Sequence, residues 1–327
     1  ASYRRQRQMC IRDSIILVMS NLVKFTLTLS LIFSINHVYA DREAFESTYV
    51  PLAPEKIVIQ NASIYDGDGG EFFETDVLVE DGKIIAIGKD LPFSNEFRVI
   101  DATGKWVTPG IIDIHSHMGV YPAPGVRTSS DGNEATSPVT ADVWAEHSIW
   151  VQDPQYALAL TGGVTAFHIL PGSANLIGGR GVTVKNLQRV TINSMKFPDA
   201  PHSLKMACGE NPKRVYGNRG QAPSTRMGNA AGYRKSWIQA EGYLRRLNEY
   251  EEKSDEAKEL EYAPTRDLEM ETLAGVLKGE ILVHNHCYRA DEMATMIDIA
   301  KEFNYKITAF HHGCLLYTSP SPRDSCA

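Results

Sequence analysis

The stretch that decides the fold is Gly110-Ile111-Ile112-Asp113-Ile114-His115-Ser116-His117-Met118-Gly119. An apolar β-branched run ends in two histidines one residue apart. Alternate residues of a strand face the same side, so a chain extended through the pair sends both imidazoles into one space. Such a pair suits two ligands of one metal ion, because imidazole is a common zinc ligand. Of ten histidines, six fall in three clusters: His115/His117, His284/His286 and His311/His312. Each cluster closes an apolar run.

Upstream of this stretch, from Lys56, short strands alternate with turns. Ile57-Val58-Ile59 leads to a Gly/Asp-rich turn at 66–70, and strands 75–80 and 83–88 flank Asp81-Gly82. An Asp-Gly pair between apolar strands predicts a hairpin. Strands 98–101 and 105–107 follow. Such a unit is too small to bury a large core alone and is expected to lie against something else. Downstream, strands alternate with helices. Six strands are expected, at 111–114, 164–170, 182–187, 204–208, 281–286 and 306–311. Helical patterns fall at 154–161, within 227–257, and at 267–278 and 290–303. Buried strands alternating with helices predict a parallel α/β sheet. The charge-dense stretch 245–260 reads as a solvated helix face.

The ends read differently. Residues 1–14 and 314–327 look like translated sequencing adapter, sharing an Arg-Asp-Ser ending, and such scars are set aside in fold reasoning. Of five cysteines, this leaves Cys208 and Cys287, which make no disulfide framework. The formal charge of -7 includes a net +3 from these ends. A mildly acidic chain has no electrostatic footprint for nucleic acid. From Met19, Lys24 precedes a short apolar run, and Val38-Tyr39-Ala40 resembles a cleavage site. Residues 19–40 therefore read as a signal peptide, too short for a stable membrane span. The expected location is periplasmic or extracellular, after cleavage near Ala40.

In a parallel α/β barrel, functional groups sit where strands end. His115 and His117 end the first strand, His286 ends the fifth, and His312 follows the sixth. Lys205 and Glu210 lie on or just after the fourth. His147, His168 and His202 read as surface or core residues. Gly178-Gly179-Arg180-Gly181 and Thr225-Arg226 could pair with a substrate carboxylate, though ordinary loop chemistry accounts for them as well.

These motifs resemble the metal-dependent amidohydrolase superfamily, in particular its exported imidazolonepropionase- and prolidase-like branch. The resemblance rests on Val58-Ile59-Gln60-Asn61-Ala62-Ser63-Ile64-Tyr65-Asp66-Gly67, on Glu80-Asp81-Gly82-Lys83-Ile84, on the run 107–117, and on Gly162-Gly163-Val164-Thr165 with Leu170-Pro171-Gly172-Ser173. It implies an incomplete (β/α)8 TIM-like barrel of about six strands over 108–313, with a small β-sandwich half over 41–107. It implies one or two divalent ions, zinc first. His115 and His117 would hold the more buried ion, and His286 and His312 the second. His284 is the weaker alternative on its strand, because alternation places it deeper. The fourth-strand ligand stays open between Lys205, as a carboxylated bridge, and Glu210; a snorkelling strand-edge lysine is the bland reading of Lys205. The implied reaction is hydrolysis of an amide, lactam or amidine C–N bond in a small molecule by metal-activated water. A homo-oligomer is compatible with it. The family's aspartate after an eighth strand has no counterpart, so this stretch is expected to be an inactive fragment. The competing function is a metal-free scaffold on the same fold, which four filled histidine positions disfavour. A structural zinc protein would favour a closed, cysteine-rich shell.

Overall fold

The computed structural model describes residues 45–313. The adapter-like ends and the leader at 19–40 lie outside the described residues. The chain divides into two compact units at Glu46/Ser47, and everything below concerns the second.

That unit opens with a five-stranded sheet. Its strands are β1 (Ile57–Tyr65), β2 (Glu71–Glu80), β3 (Lys83–Gly88), β4 (Arg98–Asp101) and β5 (Trp106–Val107). The order is β3-β2-β1-β4, with β5 also on β1. The Asp81-Gly82 hairpin forms as expected: both residues have positive φ, 51° and 71°, as the tight turn requires. The turn after β1 is held by Asp66, whose Oδ1 accepts from the Asp68 and Gly70 amides, both at 2.8 Å. Ala62, Ile64, Val77 and Ala102 bury one small core. The expected half-sandwich is thus a single mixed layer.

The second sheet carries the histidines. Its strands are β6 (Ile111–Ser116), β7 (Val164–Ile169), β8 (Ile177–Lys185), β9 (Ser203–Ala207), β10 (Leu282–His286) and β11 (Ile307–His311), in the order β11-β10-β9-β8-β7-β6. All six expected strands are present, but the sheet is not all parallel. β8 runs antiparallel to both β7 and β9, while the other pairs are parallel. The physical reason is the connection 170–176. A parallel return needs a crossover of a dozen or more residues, and this link is too short. The third strand also starts earlier than its apolar run suggested, because Gly178, Gly179 and Gly181 lie within it. Among the described residues β6 and β11 are the free edges, so the sheet is a half-barrel. Ile111, Ile112 and Ile114 on β6 are accordingly exposed.

Helices cover the sheet: α1 (Gln155–Thr161), α2 (Glu210–Gly217), α3 (Arg226–Glu251), α4 (Asp255–Leu260), α5 (Leu268–Lys278) and α6 (Ala290–Glu302). Helix α5 starts where Asp267 accepts from the Met270 amide at 3.1 Å and stops at Gly279, which adopts φ 81°, the usual polar cap and left-handed stop. The long polar stretch is two helices. The first buries Tyr233, Trp237, Ala240 and Tyr243 against β8–β11 and α5–α6, so only its later part and α4 form the expected solvated face. A second core gathers Tyr156, Phe167, Ile169, Val184 and Met195 around β7 and β8. Among the described residues no helix is long and apolar enough to cross a membrane.

One covalent link was not expected. Cys208 and Cys287 form a disulfide with Cα atoms 5.2 Å apart. Each is the first residue past its strand, and Ala207 of β9 pairs with His286 of β10. Spacing in sequence, 79 residues, hid what strand pairing makes adjacent.

Candidate metal centre

Strand ends of the half-barrel bring the histidines together. His115 stands on β6 and His117 just beyond it, with Nε2 atoms 3.3 Å apart. His117 Nδ1 lies 2.8 Å from the Leu170 carbonyl. A carbonyl only accepts, so Nδ1 carries the proton and Nε2 is a bare lone pair. Lys205 Nζ, from β9, lies 3.3 Å from His115 Nε2. The His312 ring centroid is 4.7 Å from those of both His115 and His286. His311 lies closer to His115, at 4.4 Å.

A deeper layer lies beneath. On β10, His284 pairs with Lys205 of β9, and His286 pairs with His311 of β11. His284 Nδ1 is 2.9 Å from His311 Nε2. His168 of β7 reaches Ser203 Oγ at 2.7 Å and packs 4.3 Å from His284. It is a core residue, as expected. His147 and His202 sit around Trp144, away from the cluster.

Burial sets the protonation of this cluster. Desolvation, and then the Lys205 charge, push His115 down to about 2. Desolvation first, then neighbouring histidines and Lys205, bring His284 and His286 to about 3. His311 falls to about 4, and His117 and His312 are lowered for the same leading reason. Lys205 is 1% exposed, and burial alone lowers it to about 7. The imidazoles are therefore neutral at neutral pH, as metal ligation requires.

The donors fit a divalent cation. Two nitrogens about 2.05 Å from a tetrahedral ion lie about 3.3 Å apart, the spacing that His115 and His117 already show. Two lone pairs facing each other at that distance repel unless a proton or cation lies between. His115 Nδ1 is buried with no hydrogen-bond partner, so its tautomer is not committed elsewhere. Among the described residues, however, no three His, Cys, Asp or Glu side chains stand as a ready-made metal shell. What is assembled is a histidine pair plus a lysine, ringed by further histidines.

Placement separates the two fourth-strand candidates. Lys205 points into the cluster. Glu210 is exposed at the first turn of α2. Its neighbour Asn211, overlooked in the sequence, does reach the cluster, with Nδ2 3.1 Å from His286 Nε2. His311, which the sequence reading ranked behind His312, also stands in the cluster, beside His115 and His284. Arg180 binds Thr272 Oγ1 at 2.8 Å and stacks on Trp144, and Arg226 pairs with Glu292. Both arginines thus do ordinary structural work. Tyr121 packs edge-on to His117, 5.7 Å away, and accepts a hydrogen bond from Asn133. The loop leaving His117 borders a cavity of about 550 Å³ lined by Val120, Asp131, Asn133, Trp144 and Pro171.

The fold and site together define a mixed α/β half-barrel with imidazoles converging at its strand ends, and comparison with known proteins narrows this. No protein-family profile matches the chain. It is 37% identical over 264 residues to the amidohydrolase TasK of Hapsidospora irregularis, covering 75% of this chain and 26% of that protein. A dihydroorotase of Lactobacillus helveticus is 46% identical over 74 residues, 23% of this chain and 16% of the enzyme. The crystal structure of an amidohydrolase from Thermotoga maritima superposes with a TM-score of 0.72 at 39% identity, over 79% of this chain and 64% of that one. The chain spans about a quarter of the TasK protein and under two thirds of the Thermotoga one. Over most of its described length the chain is thus similar to amidohydrolases.

Proposed function

We propose that the whole protein hydrolyses C–N bonds of small amides, lactams or amidines at a centre built on His115, His117 and Lys205. The observation that carries this reading is the 3.3 Å approach of the two Nε2 atoms, with Lys205 Nζ at 3.3 Å from one of them. Relatives described as amidohydrolase and dihydroorotase support the reaction class. The imidazolonepropionase- and prolidase-like branch remains our reading within it, and an exported location goes with that reading.

His115 and His117 would hold one divalent ion, zinc first, and His312 with the β10 histidines would complete or extend the centre. A bound zinc ion supplies a water with a pKa of about 7 and polarises a substrate carbonyl. This chain's residues do the rest. The Leu170 carbonyl fixes the tautomer and angle of His117. The burial of Lys205 keeps a neutral amine available at neutral pH, the form able to take up carbon dioxide and become the carboxylated bridge. The exposed Glu210 is set aside as a ligand. The cavity beyond His117 has the volume of a small-molecule site.

The test is zinc retention after gel filtration, followed by hydrolysis of dipeptide, N-acyl and cyclic-amide panels by the whole protein. His115→Ala should abolish both. A protein that keeps its zinc, or turns over without it, after that substitution sinks the reading.

A further inference from the structure

Beside the histidine cluster stands a cation with no anion to meet it. Arg214 lies one turn along α2 from Asn211, on the same face, because residues three apart on a helix are neighbours. Its Nη2 donates to Asn211 Oδ1 at 3.4 Å, and the other end of that amide, Nδ2, lies 3.1 Å from His286 Nε2. A single side-chain amide thus separates the guanidinium from the cluster, a gap that one amino-acid unit can span.

Other arginines are engaged. Arg226, Arg234, Arg266 and Arg289 each pair with a carboxylate, and Arg180 lies over the Trp144 ring. Among the described residues Arg214 has no carboxylate partner; Asn211 Oδ1 is what it touches. Glu210, one turn earlier on α2, makes no ion pair with it. The rest of the planar donor fork is open, and that fork matches a carboxylate bidentately.

The helix that carries it is anchored at both ends. The Cys208–Cys287 disulfide fixes the chain just before α2. Tyr216, near its other end, donates to the Ser137 carbonyl at 2.6 Å, and Arg219 beyond it donates to the Ala135 carbonyl. The guanidinium is therefore presented from a fixed backbone, while Arg214 itself is exposed.

We propose that Arg214 is a specificity residue that receives a carboxylate of the substrate, one carbon from the nitrogen of the hydrolysed bond, as in an N-acyl amino acid or a dipeptide. The inference rests on the metal-centre reading above and names the substrate class within it. Such a carboxylate takes no part in bond breaking, so Arg214 acts on KM rather than kcat.

Paired compounds test this: N-acetyl amino acids and dipeptides against their C-terminal carboxamides, which keep the shape and remove the charge. The whole protein with zinc should prefer the acids. Arg214→Met should raise their KM about tenfold with kcat little changed, and the carboxamides should lose nothing. Arg214→Lys should keep part of the preference, since an ammonium has charge but no fork. Arg245→Met removes the same charge from the solvated part of α3 and should leave both series unchanged. Saturation-transfer NMR of the chelator-treated protein reads binding without turnover. N-acetylglycine should bind more tightly than N-acetylglycinamide, and Arg214→Met should equalise the two. The proposal is overturned if the wild type shows no preference within that pair. It is equally overturned if Arg214→Met, or Arg214→Gln should methionine disturb the fold, keeps the preference with an unchanged urea midpoint. Absence of turnover on every compound, with the binding preference intact, overturns the hydrolase reading instead, a separate result.

Discussion

Lys205→Met should make the metal-free protein more stable at neutral pH. Lys205 is fully buried on β9, with an imidazole nitrogen and no carboxylate within hydrogen-bond reach among its described partners. Burial lowers its pKa from 10.5 to about 7. Each tenfold change is worth about 1.36 kcal/mol, so the burden on folding at pH 6.5 is about 5 kcal/mol as an upper figure. The sign follows from proton counting. Between pH 7 and 10.5 the unfolded lysine holds a proton and the folded one does not, so stability rises with pH in that window. Below pH 7 both states are protonated and the full burden remains. Methionine keeps the shape and removes the charge. Urea melts of chelator-treated protein in carbon-dioxide-free buffer measure the effect. The variant should gain about 3–5 kcal/mol at pH 6.5, and its advantage should shrink to about 1 kcal/mol at pH 9.5. Tyrosines titrating near the upper end are common to both proteins and cancel in the difference. A variant less stable than wild type at pH 6.5, or an advantage equal at both pH values, would refute the burial argument. The same variant should lose zinc if Lys205 serves the centre.

Three further outcomes follow from the packing. Cys208→Ser with Cys287→Ser opens a loop of 79 residues, and chain entropy puts the loss at about 4.5 kcal/mol; unchanged denaturation midpoints with and without reductant would contradict a formed disulfide. Lys196→Met leaves the buried Glu146 carboxylate without its ion-pair partner at 2.7 Å, which should cost about 3–5 kcal/mol in a urea melt, whereas Lys301→Met, at an exposed pair, should change stability by less than about 1 kcal/mol. Gly110→Ala would set a Cβ 2.3 Å from Thr165 Oγ1. It should displace β6 against β7 and weaken zinc retention, and Thr165→Ala alongside it, which removes that oxygen, should restore part of the loss.

Much of the strand and helix pattern was legible because it is local. The runs before His115, His286 and His311 are apolar and β-branched, and each became a strand. The Asp81-Gly82 turn and the Asp267 cap act through their own backbone neighbours. The site was legible in outline for the same reason, since His115 and His117 are two residues apart on one strand. The direction of β8 was harder to read, because it depends on how short the link 170–176 is rather than on the composition of the strand. Asn211 was overlooked because it carries no motif, and His311 was ranked behind His312 within its cluster; both matter through what folding places beside them.

By itself, then, the sequence determined where strands end and that imidazoles cluster at those ends. Hydrophobic periodicity and turn chemistry are short-range and survive without a partner. Tertiary structure alone decided that Lys205 faces inward while Glu210 faces solvent, that Cys208 joins Cys287, and that Asn211 meets the ring of His286. These are outcomes of strand pairing between residues scores of positions apart, and of a buried amine or lone pair taking the nearest group able to satisfy it.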